Sequence, residues 1–84
     1  MKLLFAPQAW EDYLFWQTGD KKILKRLNRL IEETARNPFD GIGKPEPLKG
    51  DKRGYWSRRI TDEHRFVYKA EGDVLKIAQL RFHH

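Results

Sequence analysis

The chain has 84 residues, enough for one domain with a modest core. It has no cysteine, which excludes a disulfide framework, a thiolate metal site and a cysteine nucleophile and fits a reducing compartment. Seventeen Lys and Arg against twelve Asp and Glu give a net charge of +5, which suits an anionic partner such as nucleic acid or an acidic protein segment.

No apolar run approaches the roughly 20 residues that a membrane helix needs. Met1-Lys2-Leu3-Leu4-Phe5 turns polar too soon for a secretory signal. The expected location is the cytoplasm. Aromatic residues make up 13% of the chain, and disordered chains are poor in them.

Met1 to Phe5 reads as a short strand. Pro7 suits the first turn of a helix, where its missing N–H costs nothing. The helix then runs from Gln8 to Gln17, with Trp10, Tyr13 and Leu14 on one face, and Gly19 can end it. Trp10, Trp16 and Trp56 read as core residues rather than base-stacking platforms.

Asp20 is a good N-cap for a second helix. Ile23, Leu27, Leu30, Ile31 and Thr34 form its apolar stripe, and lysines and arginines fill the other faces. Asn37-Pro38 stops it, because the proline ring disfavours helical backbone in the preceding residue. Phe39 to Pro47 is punctuated by Gly41, Gly43, Pro45 and Pro47 and reads as a loop. No Gly-Lys-Ser/Thr follows, so it is not a P-loop. Glu46 stands between two prolines of fixed φ, which holds its backbone more firmly than most loop residues.

From Tyr55 the pattern has period two. Tyr55 to Ile60, Arg65 to Ala70 and Val74 to Phe82 read as three strands of an antiparallel meander, joined by turns at 61–64 and 71–73. The predicted fold is α+β: a short amino-terminal strand, two helices on one face of an antiparallel sheet, and a single domain spanning 1–84.

Alternation sorts the side chains of the meander. Phe66, Tyr68, Leu80 and Phe82 are the better candidates for the covered face. Arg65, Arg81 and His83 would then share the open face. Metal-free RNA cleavage needs a base for the 2′-hydroxyl, an acid for the leaving 5′-oxygen and a cation for the phosphorane charge. Glu46, His83 and Arg65 offer those functions. Arginine suits phosphate because its planar fork donates two hydrogen bonds at once.

Residue type alone leaves plainer readings open. Glu46 can be a solvated turn residue, and Arg58-Arg59 a solvated or ion-paired strand edge. His64 reads as a solvated turn histidine. His83-His84 fits a native end and the stub of an affinity tag equally. No His, Asp and Glu cluster has metal-ligand spacing, so no metal or cofactor is expected. A basic α+β domain that binds RNA or an acidic peptide without turnover is the alternative function.

Several segments together resemble one family, the YoeB/Txe group of bacterial toxins within the RelE superfamily. They are Trp10-Glu11-Asp12-Tyr13, Asn37-Pro38-Phe39, Gly43-Lys44-Pro45-Glu46-Pro47-Leu48, Tyr55-Trp56-Ser57-Arg58-Arg59-Ile60, His64-Arg65-Phe66-Val67-Tyr68 and Arg81-Phe82-His83. The resemblance implies a microbial-ribonuclease-like, RelE-like fold. It implies a ribosome-dependent mRNA interferase that cuts mRNA in the ribosomal A site and blocks translation. It implies a YefM/Axe-type antitoxin that binds the toxin, with operator DNA bound only through that complex, and a homodimer. Carried over by residue, Glu46 matches the general base, His83 the general acid and Arg65 the transition-state stabiliser. Lys49 and Arg59 match basic residues near the scissile phosphate. His84 stands where the family usually carries tyrosine to position substrate; an imidazole there can stack or share the proton transfer. The match makes His83 native rather than a tag.

Overall fold

The computed structural model describes residues 1–82. In chain order the elements are β1 (Lys2–Phe5), α1 (Pro7–Gln17), α2 (Lys21–Arg36), β2 (Glu46–Pro47), a 3-10 turn (Gly50–Lys52), β3 (Trp56–Arg59), β4 (Arg65–Glu71) and β5 (Val74–Gln79). The strands form one sheet in the order β1-β5-β4-β3-β2. The fold class is α+β as predicted, but the sheet is mixed. β1 lies parallel to β5, because two helices intervene and return the chain to the sheet's far side. β2 was expected as loop; two residues of it pair with β3, and Pro47 is tolerated there because β2 is an edge.

The second helix forms as its sequence dictates. Asp20 Oδ1 accepts from the Lys22 N–H at 2.8 Å and the Ile23 N–H at 3.4 Å. Leu27, Leu30, Ile31 and Thr34 are buried. Leu27, Leu30 and Ile31 pack with Phe66, Tyr68, Leu75, Ile77 and Leu80 from the sheet into one core; each large apolar side chain so buried contributes about 1.5–3 kcal/mol.

The first helix presents a different face from the expected one. Trp10 is 47% exposed and Leu14 is exposed too, while Ala9, Asp12 and Trp16 are buried. α1 carries apolar residues all round, so periodicity cannot choose its face. Two hydrogen bonds choose it instead. Asp12 Oδ2 accepts from the Leu80 N–H at 2.9 Å, and Trp16 Nε1–H donates to the Leu80 carbonyl at 2.9 Å. Trp10 sits on the outer side, stacked on Tyr13 and edge-on to Phe5. Of the three tryptophans, Trp16 is buried, Trp56 half-buried and Trp10 exposed.

β5 also departs from simple alternation. Val67 pairs with Gln79 but Tyr68 pairs with Ile77, so Ala78 is an extra residue in the ladder. The bulge lets Leu75, Ile77 and Leu80 all reach the core although Ile77 and Leu80 are three apart. The strand ends at Gln79 rather than at Phe82. Phe82 has φ 58° and is 48% exposed, so it leaves the covered face to which alternation assigned it. Among the described residues no helix is long and apolar enough to cross a membrane.

Candidate active site

The site is built on the sheet face that the helices leave open. Register places Glu46 of β2 opposite Ser57 of β3, Ser57 opposite Val67 of β4, and Arg59 opposite Arg65. On one strand, residues two apart share a face. Glu46, Ser57, Arg59, Arg65 and Val67 therefore stand on the same side. A cavity of about 320 Å³ opens there, lined by Glu46, Leu48, Lys49, Lys52, Ser57, Arg65 and Val67. Glu46, Lys49 and Arg65 are thus brought together. Arg59 is not part of that lining but is Arg65's direct partner across the strands. Like charges at paired positions oppose folding, and an anion between them would relieve that. His83 and His84 lie outside the described residues.

Each side chain has a local cause for its place. Arg65 opens β4, and its Nη1 donates to the Thr61 carbonyl at 3.0 Å. The guanidinium is therefore anchored by its own turn. Glu46 owes its place to the preceding loop. Gly43 has φ 81°, and a Cβ there would meet Leu30 Cδ2 at 2.8 Å and Arg58 Cβ at 3.1 Å. Only glycine lets the backbone press onto the core here. The Gly43 carbonyl then accepts from the Arg59 N–H at 2.7 Å, which leads the chain into β2. Lys49 precedes the 3-10 turn, which is closed against β3 by bonds from the Leu48 N–H to the Tyr55 carbonyl and from the Tyr55 N–H to the Lys52 carbonyl, each at 2.9 Å.

The structure corrects the expectation that Arg58 is a solvated or ion-paired edge. It is 0% exposed. Its Nε donates to the Tyr68 hydroxyl, Nη1 to the Ile42 carbonyl, and Nη2 to the carbonyls of Asn37 and Asp40. The Tyr68 hydroxyl donates in turn to the Pro38 carbonyl at 2.6 Å. The 37–43 loop would otherwise leave these carbonyls unpaired, and one arginine gathers them. Burial pushes the Tyr68 phenol above its usual value, partly offset by the hydrogen bond and charge of Arg58.

Two more residues differ from expectation. Arg81 does not join Arg65 on the open face: its guanidinium lies 3.6 Å from the Phe15 ring centroid on α1 and 4.8 Å from that of Phe82. The bulge and the early end of β5 turn it that way. His64 is half-buried rather than solvated, edge-on to Trp16, and its Nδ1 accepts from the Phe82 N–H at 2.8 Å. Ser57 lines the cavity and was missed, although its spacing from Arg59 was the available signal. Lys69 and Lys76 are drawn onto Glu71, and Lys76 and then Lys69 hold its carboxyl below the usual range. Those charges are partly spent locally, whereas the two arginines at the site face each other.

Comparison with known proteins agrees with this architecture. A family described as YoeB-like toxin of bacterial type II toxin-antitoxin system matches residues 5–84. Toxin YoeB of Streptomyces coelicolor is 57% identical over 84 residues, with both chains covered completely. A solved YoeB/ParE toxin from Agrobacterium tumefaciens is 53% identical, with a TM-score of 0.96 and both chains covered completely. YoeB from Staphylococcus aureus, solved as a dimer and in a heterotetrameric complex with YefM, is 46% identical with a TM-score of 0.91, covering 100% of this chain and 98% of that one. The chain belongs to the YoeB-like toxin family of bacterial type II toxin–antitoxin systems.

Proposed function

We propose that this toxin is a ribosome-dependent endoribonuclease that cleaves mRNA in the ribosomal A site by acid–base catalysis. The observation that supports it most is the convergence of Glu46, Lys49 and Arg65 on one open-face cavity. Glu46 takes the 2′-hydroxyl proton. The freed oxygen attacks the adjacent phosphorus, and the 5′-oxygen leaves with a proton from His83. The products are a 2′,3′-cyclic phosphate and a 5′-hydroxyl, and no metal takes part. Arg65 stabilises the charge of the phosphorane, with Arg59 and Lys49 on neighbouring phosphate oxygens. His84 takes the family's tyrosine position and orients the substrate.

The cell-level partners in this reading are mRNA, the ribosome and a YefM-type antitoxin, as in the Staphylococcus aureus complex. An acidic antitoxin segment complements a chain of net charge +5. A homodimer is proposed on the S. aureus precedent. Primer extension on programmed ribosomes tests the activity: cuts at the A-site codon should survive EDTA when a substitute polyamine keeps the ribosomes intact, and Glu46→Ala and His83→Ala should each lose about 10²–10⁴ in rate. Binding to ribosomes without cuts would instead make the chain a non-catalytic binding module.

A further inference from the structure

His83 follows the last strand, which ends at Gln79. A catalytic acid must be held within a fraction of an ångström. The residues that lead to it are bound one after another. Leu80 is gripped through both backbone groups, by Asp12 and Trp16 of α1. Asp12 is 3% exposed, and its second oxygen accepts from Gln8 Nε2 at 2.8 Å. The Arg81 guanidinium lies against Phe15 and Phe82, and the Arg81 carbonyl accepts from Gln79 Nε2 at 3.1 Å. Phe82 sits at φ 58°, a conformation that persists in a non-glycine residue only where its surroundings over-determine it. Its backbone bonds do so: its N–H donates to His64 Nδ1 at 2.8 Å, and its carbonyl accepts from the Arg65 N–H at 2.9 Å and from Gln79 Nε2 at 3.5 Å.

We propose that His64 is a positioning residue for the ribonuclease reaction: it grips the backbone of Phe82, the residue that immediately precedes His83. The inference rests on His83 being the general acid. An acceptor at Nδ1 requires the neutral imidazole with its hydrogen on Nε2. The ring is itself oriented, edge-on to Trp16 at 4.9 Å and tilted against Phe82 at 5.3 Å. Its own backbone is fixed by bonds to Thr61 and Ile60. Trp16 thus serves both sides of the clamp, holding Leu80 by its indole N–H and His64 by its ring. Because Arg65 directly follows His64, one turn sets the proposed phosphate-binding arginine and the grip on Phe82 together.

The test compares His64→Phe, which keeps a ring against Trp16 but removes the acceptor, with His64→Asn, whose Oδ1 can replace Nδ1 as acceptor. In single-turnover cleavage on programmed ribosomes, His64→Phe should lose about 10²-fold in kcat with KM unchanged, and His64→Asn should recover about tenfold of that. Equal loss in both variants would mean that His64 acts by packing, and a loss confined to KM would assign it to substrate binding; either overturns the proposal. His83→Ala separates the two levels. If it is inactive while His64→Phe is at the wild-type rate, the positioning role fails and the catalytic reading stands. If His83→Ala is fully active, the catalytic reading fails and this inference with it. Should His64→Phe not fold, nitrogen NMR of the wild-type protein decides: an unprotonated Nδ1 with a slowly exchanging Phe82 amide supports the clamp, and a hydrogen on Nδ1 overturns it.

Discussion

Arg58 shows how far a single residue can organise a site that it does not enter. Four hydrogen bonds from one buried guanidinium tie the 37–43 loop to Tyr68, and that loop delivers Glu46. Arg58→Lys keeps the charge but not the fork, and should destabilise the fold by about 2–4 kcal/mol, read as a lower urea midpoint. An unchanged midpoint would show that the loop holds itself. Tyr68 gives a pH-dependent check on the same network. Its folded pKa is raised above the ordinary value of 10.0, so the bonus is complete below that value and fades as pH climbs through the folded pKa. Wild-type stability should therefore fall relative to Tyr68→Phe above about pH 10, where the unfolded phenol ionises first. At neutral pH the variant should be weaker by about 1–3 kcal/mol, because Arg58 Nε and the Pro38 carbonyl each lose a partner. Parallel stability curves for the two proteins across pH 8–11 would contradict the raised pKa.

At the scale of elements, the second helix and the three meander strands were legible, since cap, stripe and alternation all agreed. The exposed face of α1 was not, because Trp10, Tyr13 and Leu14 mimic a core stripe. What decides that face is Asp12, whose polar character reads as surface until the Leu80 N–H that it receives is known. The bulge at Ala78 was equally hidden: alternation back from Leu80 gives the wrong parity for Ile77 and Leu75. The Gly-Lys-Pro-Glu-Pro loop was half legible. The prolines announced a firm backbone, but only the structure shows Gly43 lodged between Leu30 and Arg58. Gly43→Ala should therefore combine φ strain with overpacking and cost about 2–4 kcal/mol, seen as a lower melting temperature, and should weaken cleavage by displacing Glu46. A variant as stable and as active as wild type would mean that the loop carries no such constraint.

Across the whole molecule, the helices cover one face of the sheet and thereby leave the other to function. That division was readable in outline: Glu46 could be placed in a firm loop and Arg65 on the open face. Their convergence on one cavity depends on strand register, which no local pattern specifies. The roles of Glu46, Arg65 and His83 come from the chemistry of RNA cleavage and from the family, not from periodicity. The clamp of His64, Asp12 and Trp16 was invisible in the sequence, because these side chains bond the backbone of Leu80 and Phe82, far from them along the chain. We propose that this open face breaks RNA by acid–base chemistry. The most direct test maps cleavage on programmed ribosomes and identifies the new 3′ end. Wild type should leave a 2′,3′-cyclic phosphate at the A-site codon in the presence of EDTA, and Glu46→Ala should cut about 10²–10⁴ times more slowly. Wild-type cutting by Glu46→Ala, or loss of all cutting in EDTA with ribosomes kept intact by a substitute polyamine, would contradict it.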